Sequence, residues 1–306
     1  MDETIHLETN QDAIWKNYLQ DNEIFIDLIN GILFQGKQVV KSCMINNWNT
    51  DSSTVFDFGK LIKSFQKNRD AIRLWNGPFP LFISIENQST IDYTMPFRVM
   101  SYDVINYNQQ YSLLDKNQKK SFQPIPIYTL ILYHGESNWV SPHTLKEKMK
   151  IPKEFESKVN DWHIDVVDIK TLKPELFRHK FNQKLIEAVN AYYDWKEHLS
   201  TIPQLSLPRE VAIVVATIIN CPFLINYIEE NPKEEIDMCI ALQLFEKRAE
   251  RRGIEQGIEQ GIEEGIKQTN REIIQNMLKK GLSVKQIEEY TDIPYNTIQQ
   301  IISYSC

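Results

Sequence analysis

The sequence predicts an α/β protein, and three observations lead to this prediction. Short runs rich in β-branched and aromatic residues at 81–88, 127–133 and 163–168 are typical of strands. Amphipathic segments before, between and after them predict helices. Strands that alternate with helices along a chain form a layered α/β structure. The 306 residues, 42% of them hydrophobic, are enough for one large domain with appendages.

The first 35 residues predict an amphipathic helix that carries Asp27. Its apolar residues recur largely at spacings of three and four, as Ile14, Trp15, Tyr18, Phe25, Leu28, Ile29 and Ile32.

Two strands joined by a turn are predicted next. The segment that ends at 70–75 precedes Asn-Gly-Pro at 76–78, which indicates a reversal into a strand at 81–88. Because side chains alternate along a strand, Glu86 and Gln88 share one face. A helix begins near Thr-Met-Pro at 94–96, since proline suits a first helical turn.

The reversal also brings Asp70 towards Glu86. Two carboxylates at one point are unfavourable unless a proton or a cation separates them. A magnesium-type ion meets this need because it takes oxygen ligands and binds phosphate. Judged on these residues alone, a surface hairpin with two unrelated acids is the simpler interpretation.

The apolar run at 211–228 approaches the length of a membrane span, but Pro222 should kink or end it, which favours a buried helix. We expect no membrane association. The four scattered cysteines and the absence of a signal segment favour a reducing, cytoplasmic location.

A four-residue repeat, Gly-Ile-Glu-Gln, begins at Gly253. Its isoleucines are four apart and form a stripe on a helix. This stripe is either a homo-oligomer contact or the face of a solvated spacer. We therefore divide the chain into a main domain at 1–230, a helical linker at 231–268 and a tail at 269–306.

The tail predicts three short helices, at 271–280, 283–290 and 295–302, with Ser283 as a helix cap and Gly281 as a stop. Their pattern is similar to a helix-turn-helix, which contacts DNA, although a small packing or dimer module fits equally.

The chain is acidic, with a formal charge of -7, so any nucleic-acid site must be a local patch. The basic segment at 31–80 is one candidate, and a solvated face is the alternative.

The run from 85 to 103 resembles the motif block of the Rpn/YhgA-like family of PD-(D/E)XK nucleases. The residues that carry the resemblance are Ile85, Glu86, Asn87, Gln88, Ser89, Asp92, Tyr93, Met95, Pro96, Arg98, Met100, Tyr102 and Asp103. Asp70, preceded by Arg69, matches the upstream acid. Further similarity at 30–31, 36–40, 132–139 and 237–239 and in the glycine repeat extends the resemblance over nearly the whole chain.

The resemblance implies a restriction-endonuclease-like mixed sheet flanked by helices, and an enzyme that cuts DNA with Mg²⁺ or Mn²⁺ in recombination or mobile elements. It makes Asp70 and Glu86 metal ligands and places Gln88 where the wider superfamily has a lysine. A neutral amide cannot replace that charge. A catalytically silent relative that binds DNA or self-assembles is therefore the alternative.

Four further residues are candidate accessory groups under this resemblance. Arg73 or Arg98 would supply the missing charge, and Tyr102 lies one helical turn after Arg98, where both could reach a phosphate. Asp27 would be an additional acid on the first helix. The alternatives are a salt bridge of Arg98 that fixes its helix and a plain surface carboxylate at Asp27.

Overall fold

The chain forms two compact units, Met1–Leu242 and Gln243–Cys306. The boundary between them in the sequence falls within the predicted linker at 231–268. The computed structural model describes residues 12–48, 51–57, 62–198 and 204–303, with the backbone alone at 51–57 and 62–68. Many side chains of the predicted basic segment at 31–80 lie outside the described part, including those of Lys60, Lys63 and Lys67.

The first unit contains a five-stranded mixed sheet. Its strands, in spatial order, are β1 (Ile45–Asn47), β4 (Ala71–Asn76), β5 (Pro80–Gln88), β6 (Ile127–Tyr133) and β7 (Asp165–Asp168). The pairs β1–β4 and β4–β5 are antiparallel, whereas the pairs β5–β6 and β6–β7 are parallel. A separate hairpin pairs β2 (Asp51–Asp57) with β3 (Ile62–Asn68). The predicted mixed sheet is confirmed.

The predicted reversal at 76–78 is also confirmed. β4 and β5 are antiparallel, with Asn76 opposite Pro80 and residues 77–79 between them. A short connection of this kind fixes the register of both strands.

Two helices cover the two faces of the sheet. Helix α2 (Asn22–Phe34) lies on the face that carries Arg73, because the Arg73 guanidinium lies over the ring of Phe25. Helix α3 (Met95–Ser112) lies on the other face, where its side chains pack with β6 in a cluster of Met95, Val99, Ile131 and Ile164. Residues 82–86 of β5 are consequently buried on both sides.

The helix predicted over the first 35 residues is in fact two helices. Residues 12–18 form α1 and residues 22–34 form α2, and residues 1–11 lie outside the described part. The Asp21 carboxylate accepts hydrogen bonds from the backbone N–H groups of Glu23 and Ile24. Such a cap stabilises the start of a new helix, so the single periodic pattern spans a break.

The apolar run at 211–228 is buried, as predicted, and Pro222 separates two helices. The helices of this region are α4 (Lys180–His198), α5 (Arg209–Ile218) and α6 (Pro222–Glu230), and a short pair, β8 (Ser206–Pro208) and β9 (Glu235–Asp237), adjoins them. Within the described residues, every helix is too short or too polar to cross a membrane.

Helix α7 (Met238–Lys279) is 42 residues long. The separate helix predicted at 271–280 is therefore wrong: nothing between 268 and 279 interrupts the helical backbone. Gly281, at a φ of 86°, follows its end. Helices α8 (Val284–Thr291) and α9 (Tyr295–Ser303) match the prediction, and the Ser283 N–H donates to Gln286 before α8. The buried side chains of the tail are Ile274, Ile287, Ile293 and Ile298.

The glycine repeat lies within α7 and its isoleucine stripe is open. The four isoleucines at 254, 258, 262 and 266 are each 56–58% exposed. A methyl group added at any of the four glycines of the repeat would meet no atom within 4 Å among the described residues.

Candidate active site

The hairpin of β4 and β5 brings Asp70 and Glu86 together at one end of the sheet. Ala71 lies opposite Ile85, and one further step in this register sets Asp70 opposite Glu86. The backbone N–H of Asn87 donates to Asp70 Oδ2 at 2.7 Å, which holds the aspartate against β5. Two residues that are sixteen positions apart in sequence are thus neighbours in space.

Glu86 is enclosed, with only 1% of its surface exposed. Its Oε1 atom lies 3.4 Å from Ser84 Oγ and 3.9 Å from Arg69 Nη1, so both contacts are long. Burial and the charge of Asp70 raise the pKa of Glu86 to about 8. Burial likewise raises the pKa of Asp70 to about 6. The doubly ionised pair is unfavourable, and a proton or a cation stabilises it.

The Gln88 amide contacts the backbone carbonyl of Asn87 and the guanidinium of Arg98. Its Nε2 donates to Asn87 O at 2.7 Å, and its Oε1 lies 3.4 Å from Arg98 Nη1. The same Nη1 makes a shorter hydrogen bond, 2.7 Å, to Asp92 Oδ2. The structure therefore brings Arg98 to Gln88 and fixes the guanidinium through Asp92.

Tyr102 lies beside the two acids as well. Arg98 Nη2 is 3.3 Å from its hydroxyl. Burial and then the charge of Glu86 raise the pKa of Tyr102, with a further contribution from Asp70. Asp70, Glu86, Gln88, Arg98 and Tyr102 are thus one group of neighbours.

Sequence reasoning missed two members of this site, Asp12 and Lys16, which lie on α1. Lys16 Nζ is 2.7 Å from Asp12 Oδ2 and 3.8 Å from Asp70 Oδ1. Burial lowers the pKa of Lys16, but the hydrogen bond to Asp12 and the charges of Asp70 and Glu86 raise it overall. The spacing of four places both residues on one helix face, but no local signal links that face to Asp70.

Helix α1 is held against the sheet by Trp15. Its ring is fully buried and packs on the His134 ring, with 5.6 Å between centroids. The backbone N–H of His134 donates to Gln88 O, so the packing of Trp15 on His134 lies next to the end of β5. Neither nitrogen of the His134 ring has a well-aligned hydrogen bond among the described residues, and burial lowers the pKa of His134 to about 4. His134 is therefore a neutral packing residue.

A second buried charge cluster lies next to the acids and was also missed. Arg69 donates to Asp103 Oδ1 at 2.5 Å and to Thr129 Oγ1 at 2.9 Å. The second oxygen of Asp103 accepts from Trp162 Nε1 at 2.8 Å, and the guanidinium lies 5.1 Å from the centroid of the Tyr102 ring. We name Arg69, Asp103, Thr129 and Trp162 the Arg69 cluster.

Two predicted accessory residues contact other groups. Arg73 lies on the opposite face of β4, where its Nε donates to Asn22 and its Nη2 to the backbone of Leu19. Its spacing of three from Asp70 explains this, because odd spacings in a strand change face. Asp27 accepts from Arg178 N and Asn182 Nδ2, and it ties α2 to α4.

The donor set fits a hard divalent cation. Asp70 and Glu86 offer carboxylate oxygens, and burial, together with the proximity of the two charges at Glu86, raises both pKa values, which a bound cation would offset. Among the described residues there is no group of three or more His, Cys, Asp or Glu side chains suited to a metal. Mg²⁺ needs no such cage, since it retains waters and is commonly held by one or two carboxylates and a substrate phosphate.

Comparison with known protein families agrees with the resemblance carried by residues 85–103. A family model described as "Putative transposase, YhgA-like" matches residues 9–207, which include every residue of the site from Asp12 to Asp103. Neither the curated proteins nor the solved structures contain a match to the chain. Since the family model covers more than half of the sequence, the chain belongs to the YhgA-like transposase family.

Proposed function

We propose that the chain is a metal-dependent endonuclease that hydrolyses phosphodiester bonds of DNA in recombination or in the movement of mobile elements. The observation that supports this most is the Asp70 carboxylate, held by the N–H of Asn87 directly opposite the buried Glu86. The family description, a transposase, favours DNA as the substrate.

Asp70 and Glu86 would hold Mg²⁺ or Mn²⁺, which when bound supplies an activated water and neutralises charge on the phosphate. The protein contributes a fixed aspartate and an enclosed glutamate. Because both carboxyls must lose their protons to bind metal, we expect affinity to rise with pH between about 6 and about 8.

Arg98 and Tyr102 would orient the phosphate group beside the two acids. The short hydrogen bond to Asp92 fixes the guanidinium, so little conformational freedom remains to be lost on binding. A guanidinium and a phenol offer the hydrogen-bond donors that recognise phosphate oxygens.

Cleavage of plasmid DNA with Mg²⁺ or Mn²⁺ tests the proposal, comparing the wild type with Glu86→Ala and with the isosteric Glu86→Gln. We expect nicking by the wild type and a loss of at least a hundredfold in both variants, with the exposed carboxylate variant Asp161→Asn as a control. Equal rates in the wild type and the Glu86 variants would exclude the assigned site.

The alternative, a catalytically silent relative that binds DNA, is favoured by one observation. The Gln88 amide, at the motif's lysine position, is turned onto Asn87 O and carries no charge. Calorimetric titration with Mg²⁺ and Mn²⁺ separates the two functions, since intact DNA binding without any metal binding would favour the silent relative.

We also propose that the chain forms a homo-oligomer through the isoleucine stripe of α7, which is more than half exposed. Sedimentation of the full chain tests this, with Ile258→Lys/Ile262→Lys compared with the wild type. We expect the variant to be a monomer at concentrations where the wild type associates. A monomeric wild type would remove this proposal.

A further inference from the structure

We infer that Lys16 of helix α1 supplies the positive charge that Gln88 cannot, and that its ammonium group contacts the substrate phosphate at the Asp70–Glu86 site. This inference rests on the proposed function and adds a catalytic residue to it from outside the motif block. Lys16 Nζ lies 3.8 Å from Asp70 Oδ1, on the side of the acids that α1 covers.

Lys16 is selected by comparing three cationic side chains that lie near the acids in the part of the chain whose side chains the structure describes. Arg69 is 1% exposed and donates to Asp103 and Thr129, so it cannot reach a substrate. Arg98 is 31% exposed, but its 2.7 Å partner Asp92 is only 21% exposed, so this ion pair persists and Arg98 orients the phosphate with its charge largely compensated. The Lys16 side chain is 32% exposed, and its close partner Asp12 is itself 53% exposed. An ion pair in such a position is weak, and an incoming phosphate can compete for it.

The position of α1 is fixed, so Lys16 is not on a loose arm. Trp15, the preceding residue, is fully buried against His134. Tyr18 on the same helix donates to Asn182 Oδ1 at 2.8 Å, a buried hydrogen bond to α4. These contacts hold the helix backbone, while the four-carbon stem of Lys16 leaves its ammonium free to rotate.

The chemistry of an ammonium group suits this place. It carries three donors, of which one serves Asp12, and it lies close enough to Asp70 to compensate part of its charge. When a phosphate occupies the site, the same group neutralises negative charge that develops on it. The positive charge then comes from α1, outside the motif block, which explains how a neutral Gln88 is tolerated.

The test uses the full chain with Lys16→Met, Lys16→Gln and Lys16→Arg. Lys184→Met is the matched control, because Lys184 is 33% exposed and pairs with Glu187 within a helix, as Lys16 does with Asp12. Two quantities are measured: DNA cleavage at saturating Mg²⁺, and Ca²⁺ affinity by calorimetry in the absence of DNA. Circular dichroism establishes that each variant is folded.

We expect Lys16→Met and Lys16→Gln to cleave about a hundredfold more slowly, and Lys16→Arg and Lys184→Met to stay within about tenfold of the wild type. We also expect both neutral variants to bind Ca²⁺ about fivefold more tightly, because a charge near a metal ligand has been removed. If Lys16 only held α1 in place, its replacement would loosen the site and weaken Ca²⁺ binding instead of tightening it.

Three results would overturn the inference. The first is cleavage by folded Lys16→Gln within threefold of the wild type. The second is unchanged Ca²⁺ affinity in both neutral variants, and the third is a wild type that binds no Ca²⁺. If the wild type binds Ca²⁺ but does not cleave DNA, the proposed nuclease function fails. Tighter Ca²⁺ binding by the neutral variants would then still assign Lys16 to the acid site.

Discussion

Two buried charge clusters lie side by side on the same face of the sheet, and they are built differently. In the Arg69 cluster, Asp103 receives hydrogen bonds from Arg69 and from Trp162, and Arg69 also donates to Thr129. In the neighbouring site, the contacts of Glu86 with Ser84 and Arg69 are long, at 3.4 and 3.9 Å, and burial raises its pKa to about 8.

This difference favours a structural role for the Arg69 cluster and makes the Asp70–Glu86 pair the candidate for a functional role. Buried charges are tolerated when each is paired and hydrogen-bonded, as in the Arg69 cluster. A buried acid pair that lacks this compensation costs stability, and such sites are candidates for ligand binding or catalysis. Under the proposed function, we therefore expect a structural role for Arg69 and a metal-binding role for its neighbour in sequence, Asp70.

The largest predicted effect is on the Arg69 cluster. We expect Arg69→Met to lower the free energy of unfolding by about 3–5 kcal/mol, because it leaves Asp103 buried without its cation. Urea denaturation followed by circular dichroism measures this. The double variant Arg69→Met/Asp103→Leu should recover much of the loss, since both charges are then absent. A loss below about 1 kcal/mol in the single variant would mean that the cluster is not structural.

The next effect concerns Glu86 and depends on pH. An unfolded glutamate loses its proton near pH 4.5, whereas the folded state keeps the Glu86 proton up to about pH 8. Between these values the folded state binds more protons at Glu86. The contribution of Glu86 to the free energy of unfolding therefore falls as pH rises and is constant above about pH 8. At about 1.4 kcal/mol for each pKa unit, the loss is on the order of a few kcal/mol.

Glu86→Gln should remove this dependence and leave the protein more stable than the wild type at pH 9, with little change below pH 4.5. Denaturant midpoints at several pH values would establish the two curves. Parallel curves for the wild type and Glu86→Gln would contradict the raised pKa and the comparison with the Arg69 cluster.

A smaller effect is expected at Asp70. Asp70→Asn keeps an oxygen that can accept from the Asn87 N–H, but it loses the attraction of Lys16 at 3.8 Å. Since the pKa of Asp70 rises from 3.8 to about 6, at about 1.4 kcal/mol for each pKa unit we expect the variant to gain up to about 3 kcal/mol at pH 8. Thermal unfolding at pH 4 and pH 8 gives the comparison. A loss of stability at pH 8 would instead place Asp70 among the structural charges.

The sequence predicts the part of this site that local rules determine. Strand alternation and the reversal at 76–78 fix the strand positions of Asp70 and Glu86, and both rules act over a few residues. The same rules place Arg73 on the other face, although its side chain was expected to reach the site. Because Arg73 is three residues from Asp70, strand alternation alone excludes the Arg73 side chain from the site.

Contacts between distant segments could not be predicted in this way. Lys16 and Asp70 are brought together by packing of Trp15 on His134, which no pattern of spacing encodes. The break between α1 and α2 was missed for a related reason: one apolar periodicity continues through it, and only the capping hydrogen bonds of Asp21 reveal the new helix start.

The smallest predicted effect on stability tests to which cluster Tyr102 belongs. Its ring lies under Arg69, while its hydroxyl is 3.3 Å from Arg98 Nη2. Tyr102→Phe keeps the ring and removes the hydroxyl, so we expect a loss of about 0.5–1.5 kcal/mol. Under the proposed function, DNA cleavage should fall by about tenfold, because the hydroxyl lies 3.3 Å from Arg98 Nη2 at the proposed phosphate site. Tyr111→Phe, an exposed tyrosine on the same helix, should change neither quantity. Unchanged cleavage in folded Tyr102→Phe would assign Tyr102 to the Arg69 cluster alone and restrict the functional site to the acids, Lys16 and Arg98.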